Sequence, residues 1–268
     1  MTRALVESHA KSAKPFEPIE RERVLERMER ASRRRVAVLA APAGFGKSTA
    51  LRQHLVRTKT TYVQFTVRKE HATLLDFVRG LAGALAPFVP SAGKSVAGAY
   101  QSAARSKNKA GALAHWLALL LRESEGTIVI DDLHAALGDE QVALLVAQLI
   151  DLTPEKLRWI LSTRDASNLP AATWFARGMA DLPVDERDLR LTWEEALAIS
   201  LRWNSGATEV TVGELFALTG GWPTAFAFAL AVSSRTTDLE KVALGTREMI
   251  YSYFAEQVFR DLSESDRE

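Results

Sequence analysis

Residues 41–49 read Ala41-Pro42-Ala43-Gly44-Phe45-Gly46-Lys47-Ser48-Thr49, two glycines and a lysine followed by two hydroxyls. The run fits the phosphate-binding pattern G-x-x-x-x-G-K-[ST] at every position but the first, where Ala41 replaces glycine. Gly44 and Gly46 can adopt backbone angles that turn successive N–H groups toward one phosphate, and a helix starting behind them presents its positive end to the same anion. Lys47 is then placed to reach β- and γ-phosphates, and Ser48 to offer its hydroxyl to Mg²⁺. The candidate cradle is thus Ala43, Gly44, Phe45, Gly46, Lys47, Ser48 and Thr49. The plain alternative is a Gly-rich turn with an exposed lysine. The apolar run before the loop and the helix-compatible stretch after it argue against that.

A phosphate cradle needs a holder for the metal, and an α/β sheet provides one at the carboxyl end of a neighbouring strand. Thr127-Ile128-Val129-Ile130 ends in Asp131-Asp132, and acids at the rim of a core must meet a cation or hydrogen-bond donors. Asp131 would face the Mg²⁺ shell, and Asp132 would orient or deprotonate the attacking water. Two acids after a strand also serve as a helix N-cap; their order and spacing relative to Lys47 favour the metal. The run Leu161-Ser162-Thr163-Arg164-Asp165 brings a guanidinium to the same sheet edge. Arg164 could hold a terminal phosphate in bidentate fashion or simply pair with Asp165. His134 reads as a hydrogen-bonding neighbour rather than a metal ligand.

These residues need a framework of strands and helices. Apolar runs at 36–40, 61–67, 127–130 and 158–163 read as strands, with a fifth, edge-like because of Pro183, at 181–184. Helical patterns alternate with them, at 20–32 and 48–56 among others, which implies parallel βαβ units and a sheet covered on both faces. From residue 187 the strand-like runs stop. Thr192 with Glu195 three residues later fits a capping box, and helices are expected at 193–200, 210–218, 223–233 and 247–262. Residues 87–109 carry Pro, Ser, Gly, Ala and Lys without a firm pattern and are expected to form an irregular insertion.

Composition bounds the rest. The 268 residues, 47% hydrophobic and 25% charged, suffice for one large domain or two modest ones. With no cysteine there is no disulfide framework, thiolate metal site or cysteine nucleophile. Nothing resembles a targeting segment or a membrane span, so a cytoplasmic location is the default expectation. The net charge of +1 conceals an asymmetry: residues 1–60 hold 14 basic and 6 acidic side chains (+8), the remainder 20 and 27 (−7). Either the basic start attracts anions, or Arg33, Arg34 and Arg35 simply end a helix at its negative pole.

The phosphate-loop run, Ile130-Asp131-Asp132-Leu133-His134, Ser162-Thr163-Arg164-Asp165, Leu189-Arg190-Leu191-Thr192-Trp193-Glu194-Glu195-Ala196 and Gly220-Gly221-Trp222-Pro223-Thr224-Ala225, in this order, resemble the STAND class of signal-transduction ATPases. Within it they look most like the large LuxR-type transcriptional activators related to the maltose-regulon activator. The resemblance runs from Pro18 to the C-terminus. In that family the first loop position is often a small residue other than glycine, as Ala41 is here.

The resemblance implies an α/β fold, an ASCE-type P-loop NTPase whose helix-covered parallel sheet precedes a small all-helical lid and the start of a winged helix. The corresponding units are an arm at 1–18, a nucleotide-binding domain at 19–186, the lid at 187–245, and a truncated winged helix at 246–268, so that the chain is either an excised fragment or a short relative. By position, Gly46, Lys47, Ser48 and Thr49 match the phosphate loop, Asp131 and Asp132 the Walker B acids, and Arg164 the sensor arginine. Pro223 matches a lid proline that packs near the base, and Arg21 an N-terminal arginine near the nucleotide. The implied function is an ATP/ADP- and Mg²⁺-dependent switch: a slow ATPase that self-associates on activation, and that meets DNA only through sequence outside this chain. The run Val63-Gln64-Phe65-Thr66-Val67-Arg68 lacks the acid usual there in the family, which implies binding in excess of turnover. The alternative is a free-standing AAA+ or archaeal-type ATPase acting as a motor or loader; a small-molecule kinase and a scaffold without nucleotide are further removed.

Overall fold

The computed structural model describes residues 18–203 and 207–261. Five strands form one all-parallel sheet: β1 (Val36–Ala40), β2 (Tyr62–Thr66), β3 (Gly126–Asp131), β4 (Leu157–Thr163) and β5 (Val184–Asp185), in the order β2-β3-β4-β1-β5. The expected edge strand forms, but at Val184–Asp185, after Pro183, rather than over 181–184. Central strands in a parallel sheet have both faces covered, which is why β1 reads as a continuous apolar run and β4 carries Trp159-Ile160-Leu161 at its centre.

Alternate side chains of these strands feed two cores. On one face Ala37, Leu39, Val129 and Ile160 pack under α1 (Glu22–Ser32) and α2 (Lys47–Thr58). Helix α1 buries Val24, Leu25, Met28 and Ala31, all on one side at helical spacing. On the other face Val38, Phe65, Ile128, Ile130, Trp159 and Leu161 meet α3 (Leu74–Ala84), α4 (Ala92–Ala103), α5 (Lys109–Leu121), α6 (Glu140–Leu152) and α7 (Ala171–Ala176). Side-chain caps fix the starts of three of these helices: Thr73 accepts from Asp76 N–H, Asn108 from Gly111 N–H and Asp139 from Gln141 N–H.

Residues 87–109, expected to be irregular, contain the helix α4. Its buried face consists of Ala92, Val96 and Ala103. Small side chains give a weak periodic signal, and the helix forms because α3 and α5 cover it.

After the short α8 (Glu186–Leu189), helices α9 (Trp193–Trp203), α10 (Glu209–Thr219), α11 (Pro223–Ser233) and α12 (Leu239–Asp261) enclose a separate apolar core of Leu191, Ala196, Val212, Leu215, Phe226, Ala229 and Val242. The capping box stands as expected: Glu195 N–H donates to the Thr192 hydroxyl and Thr192 N–H to the Glu195 carboxylate. Helix α12 begins at Leu239 rather than at 247, because Val242 is buried in the core it shares with α9, α10 and α11. The expected boundary at residues 245–246 therefore falls inside one continuous helix. At the other end Ile19 packs on this same helical core, although the expected division grouped it with the sheet. Residues 1–17 of the expected arm at 1–18, and residues 262–268, lie outside the described residues.

Candidate functional site

Strand β1 runs into the glycine loop and the loop into α2, whose first residue is Lys47. Gly44 and Gly46 have φ of 79° and 83°, a region that side-chain-bearing residues rarely enter, so both glycines are demanded by the backbone. Ala41 is not among the described positive-φ residues and is buried, which explains why a methyl group is tolerated at the first position of the pattern. Gly46 caps α2 without a side-chain acceptor, so the positive end of that helix opens onto the loop.

The Lys47 ammonium donates to the carbonyls of Ala41, at 2.6 Å, and Pro42, at 3.1 Å. Burial holds its pKa below the ordinary lysine range; Asp132 and Asp131 oppose that shift and Arg164 adds to it. The buried carboxylate of Asp131, at the end of β3, accepts Asp132 N–H at 3.0 Å on Oδ1, and the Ser48 hydroxyl lies 3.5 Å from the same oxygen. Asp132 has φ of 55°, an uncommon conformation that aspartate tolerates better than most residues. Its carboxylate lies 3.9 Å from His134 Nδ1.

A cavity of about 260 Å³ brings together Lys47, Ser48, Asp132 and Arg164, with Ala43 on its rim. A second, of about 630 Å³ and mostly apolar, is lined by Arg21, Ile199, Trp203, Pro223 and Phe228. The two share Gly44, Gly46, Thr49, Thr224 and Tyr253 and so adjoin, one polar and the other apolar. The Arg21 guanidinium donates to Leu189 O at 2.6 Å, and its other arm lies 3.5 Å from where a Cβ on Gly46 would stand. Burial lowers the pKa of Arg21, partly offset by Glu195. Phe45 lines neither cavity. Its ring is buried against Trp222, centroids 6.1 Å apart, with the Arg190 guanidinium 5.6 Å from its centre, so its side chain fixes the loop rather than facing a ligand.

Sequence reasoning missed Thr224, Trp222 and Tyr253. Thr224 donates twice to Gly44 O, from its N–H at 3.2 Å and its hydroxyl at 2.8 Å. Trp222 stacks between Phe45 and Phe254, with a centroid separation of 5.7 Å to the latter, and Tyr253 reaches both cavities from α12. The signal for Trp222 and Thr224 was the Gly-Gly-Trp-Pro-Thr run, of which only Pro223 stood out; Tyr253, on α12, had none of its own. A further cavity of about 630 Å³ lies at the opposite ends of the strands, beside His54 and Arg158, and contains none of the expected site residues.

Hard oxygen donors on Asp131 and Ser48 fit a small divalent cation. Among the described residues no three acidic or histidine side chains gather as a protein-only cage. A magnesium ion there would draw its remaining ligands from phosphates and water, as this metal does. Among the described residues no helix is long and apolar enough to cross a membrane.

No curated protein matches the chain. Among solved structures, a Walker-type ATPase of Pyrococcus abyssi is similar at 13% identity and a TM-score of 0.57, over 92% of this chain and 76% of that one. A STAND protein with a tetratricopeptide repeat sensor from Pyrococcus horikoshii is similar at 17% identity and a TM-score of 0.50. That likeness covers 88% of this chain but only 34% of the larger protein. Cdc6p from Pyrobaculum aerophilum is similar at 17% identity and a TM-score of 0.52, over 84% of this chain and 64% of that one. At these identities the likenesses establish the fold. The family model described as an AAA domain matches residues 28–165, from α1 through β4 to the residue after Arg164, and the chain belongs to that family of P-loop ATPases.

Proposed function

We propose that the chain is the nucleotide-operated switch module of a bacterial transcriptional activator of the STAND class, with adenine nucleotide at the adjoining cavities and slow Mg²⁺-dependent hydrolysis. The observation that carries this reading is the pair of hydrogen bonds that Thr224 donates to Gly44 O, which ties the lid to the phosphate loop where the polar and apolar cavities meet. A ligand with a flat apolar end and a polyanionic end would touch both units, so its state would bear on how they are held together.

In this reading the loop Ala43–Thr49 and the start of α2 hold the β- and γ-phosphates, and Lys47 exchanges its carbonyl partners for phosphate oxygens. Asp131 and Ser48 hold the cation, which when bound neutralises charge on the phosphates. Asp132 orients a water at the terminal phosphate, and Arg164 contacts that phosphate's oxygens. Pro223 packs beside the base, and Arg21 stands behind the loop. Residues 187–245 act as the lid, and α12, continuous across residue 246, carries it into the start of a winged helix at 246–268. Self-association on activation and a cytoplasmic location belong to the same proposal, with DNA contact left to sequence outside the chain.

A free-standing motor or loader ATPase is the competing reading; in its favour, Lys47, Ser48, Asp132 and Arg164 share one small cavity, so groups that hydrolysis would use already stand together. One experiment separates the two: denature the purified chain, identify released nucleotide by chromatography, and measure steady-state ATP hydrolysis, each alongside Lys47→Ala. Tightly held ADP with slow turnover, lost in the variant, supports the switch. Rapid unstimulated hydrolysis supports the motor, and nucleotide affinity unchanged by Lys47→Ala removes both.

A further inference from the structure

We propose that Ser162 is a positioning residue of this site: its hydroxyl holds the Asp131 carboxylate, directly or through a cation-bound water, once a divalent cation lies between Asp131 and Ser48. The inference deepens the nucleotide reading above and rests on it.

Ser162 is fully buried in β4, and its hydroxyl has no hydrogen-bond partner among the described residues. A buried hydroxyl left unpaired costs free energy that alanine, of nearly the same shape, would avoid. The position is therefore explained by a state in which the hydroxyl is satisfied, and the sheet register indicates that state. Strands β3 and β4 pair Val129 with Ile160 and Ile130 with Leu161, so the next step along both strands sets Asp131 beside Ser162. Val129 and Ile160 both belong to the core beneath α1 and α2. Side chains alternate along a strand, so Asp131 and Ser162, each two residues further on, face the same side, toward the first turn of α2.

There the Ser48 hydroxyl stands 3.5 Å from Asp131 Oδ1. On its other flank Ser162 pairs with Leu39, which is part of the same apolar core. In the row Asp131, Ser162, Leu39 the carboxylate is thus the polar neighbour. Asp132 N–H donates to Oδ1 and the Ser48 hydroxyl lies nearest that oxygen, so a cation between Asp131 and Ser48 would leave Oδ2 for a further donor. Partners of metal-ligating carboxylates commonly fix their orientation in this way.

The test uses the whole chain with Ser162→Ala and Ser162→Cys, the second keeping the volume while forming only weak hydrogen bonds. ATP affinity is measured by calorimetry in Mg²⁺ and in EDTA, with the thermal midpoint of the ligand-free protein alongside. The gain in affinity that Mg²⁺ confers should fall about tenfold or more in both variants. Affinity in EDTA should stay at the wild-type level, and the ligand-free midpoint should hold or rise, because an unpaired hydroxyl has gone. A full Mg²⁺ gain in Ser162→Ala overturns the proposal. So does equal loss in Mg²⁺ and EDTA with a lowered midpoint, which would mean a packing role. A wild-type chain without Mg²⁺-dependent binding would instead bring down the nucleotide reading itself, and this inference with it.

Discussion

The carbonyl oxygen of Gly44 accepts two hydrogen bonds from Thr224, at 2.8 Å from the hydroxyl and 3.2 Å from the backbone N–H, across 180 residues of sequence. The first turn of α11 is thereby fastened to the phosphate loop, and stacking of Trp222 on Phe45 supports the same junction. Whatever changes the backbone at Gly44 must change how the lid is held.

Thr224→Val keeps the branched shape and the N–H but deletes the hydroxyl donor. Loss of one such bond costs about 1 kcal/mol, so urea unfolding should show a small destabilisation. Release of a fluorescent ADP analogue should become several-fold faster. Wild-type release kinetics in the variant would show that the tie does not hold the ligand.

Gly44→Ala and Ala41→Gly should have very different consequences. At Gly44 a Cβ would stand 2.8 Å from the Thr224 hydroxyl and 2.9 Å from Trp222 Nε1, on a backbone with φ of 79°. The variant should lose most nucleotide binding and melt earlier. Ala41→Gly should cost only about 0.5–1 kcal/mol of backbone entropy and keep binding. Calorimetry and thermal melts on the pair decide, and equal behaviour of the two would count against the glycine-loop geometry.

His54 is buried in α2, and burial lowers its pKa below the ordinary 6.5, with Glu29 opposing and Arg57 adding to the effect. The sign follows from proton counts. Above about pH 6.5 the imidazole is neutral folded and unfolded; below it the unfolded chain takes up a proton that the folded chain resists. Stability should therefore decline as pH falls below about 6.5 toward the lower folded pKa. The decline should be shallower in His54→Gln, as followed by denaturant midpoints from pH 7.5 to 5. Parallel pH profiles for the two proteins would rule out this histidine as the source.

Val242 lies at 1% exposure in the lid core, on the part of α12 before the expected domain boundary. Val242→Ala should cost about 2 kcal/mol from lost burial and the cavity left behind. If the first turns of α12 did not share a core with α10 and α11, the substitution would leave protection of the α10 and α11 amides unchanged. Hydrogen exchange of those helices is expected to accelerate instead.

The strand, glycine loop and helix around Lys47 were legible in the sequence because each is locally specified: apolar residues for a doubly covered strand, glycines where the backbone needs positive φ, and helix-formers behind them. The same holds for the acids ending β3 and for the Thr192 capping box. Two stretches resisted local reading. The pattern of α4 is carried by small side chains, and the first turns of α12 are fixed by what Val242 meets in the lid rather than by a start signal of their own.

What only the tertiary structure decided are the relationships between distant residues. Thr224 meets Gly44 because the lid folds back over the loop, Tyr253 reaches both cavities because α12 lies along α11, and Ser162 neighbours Asp131 because the sheet places β4 between β3 and β1. Sequence periodicity records which face of an element is buried. It carries no record of which other element supplies the partner, because that choice is made by packing across the whole chain.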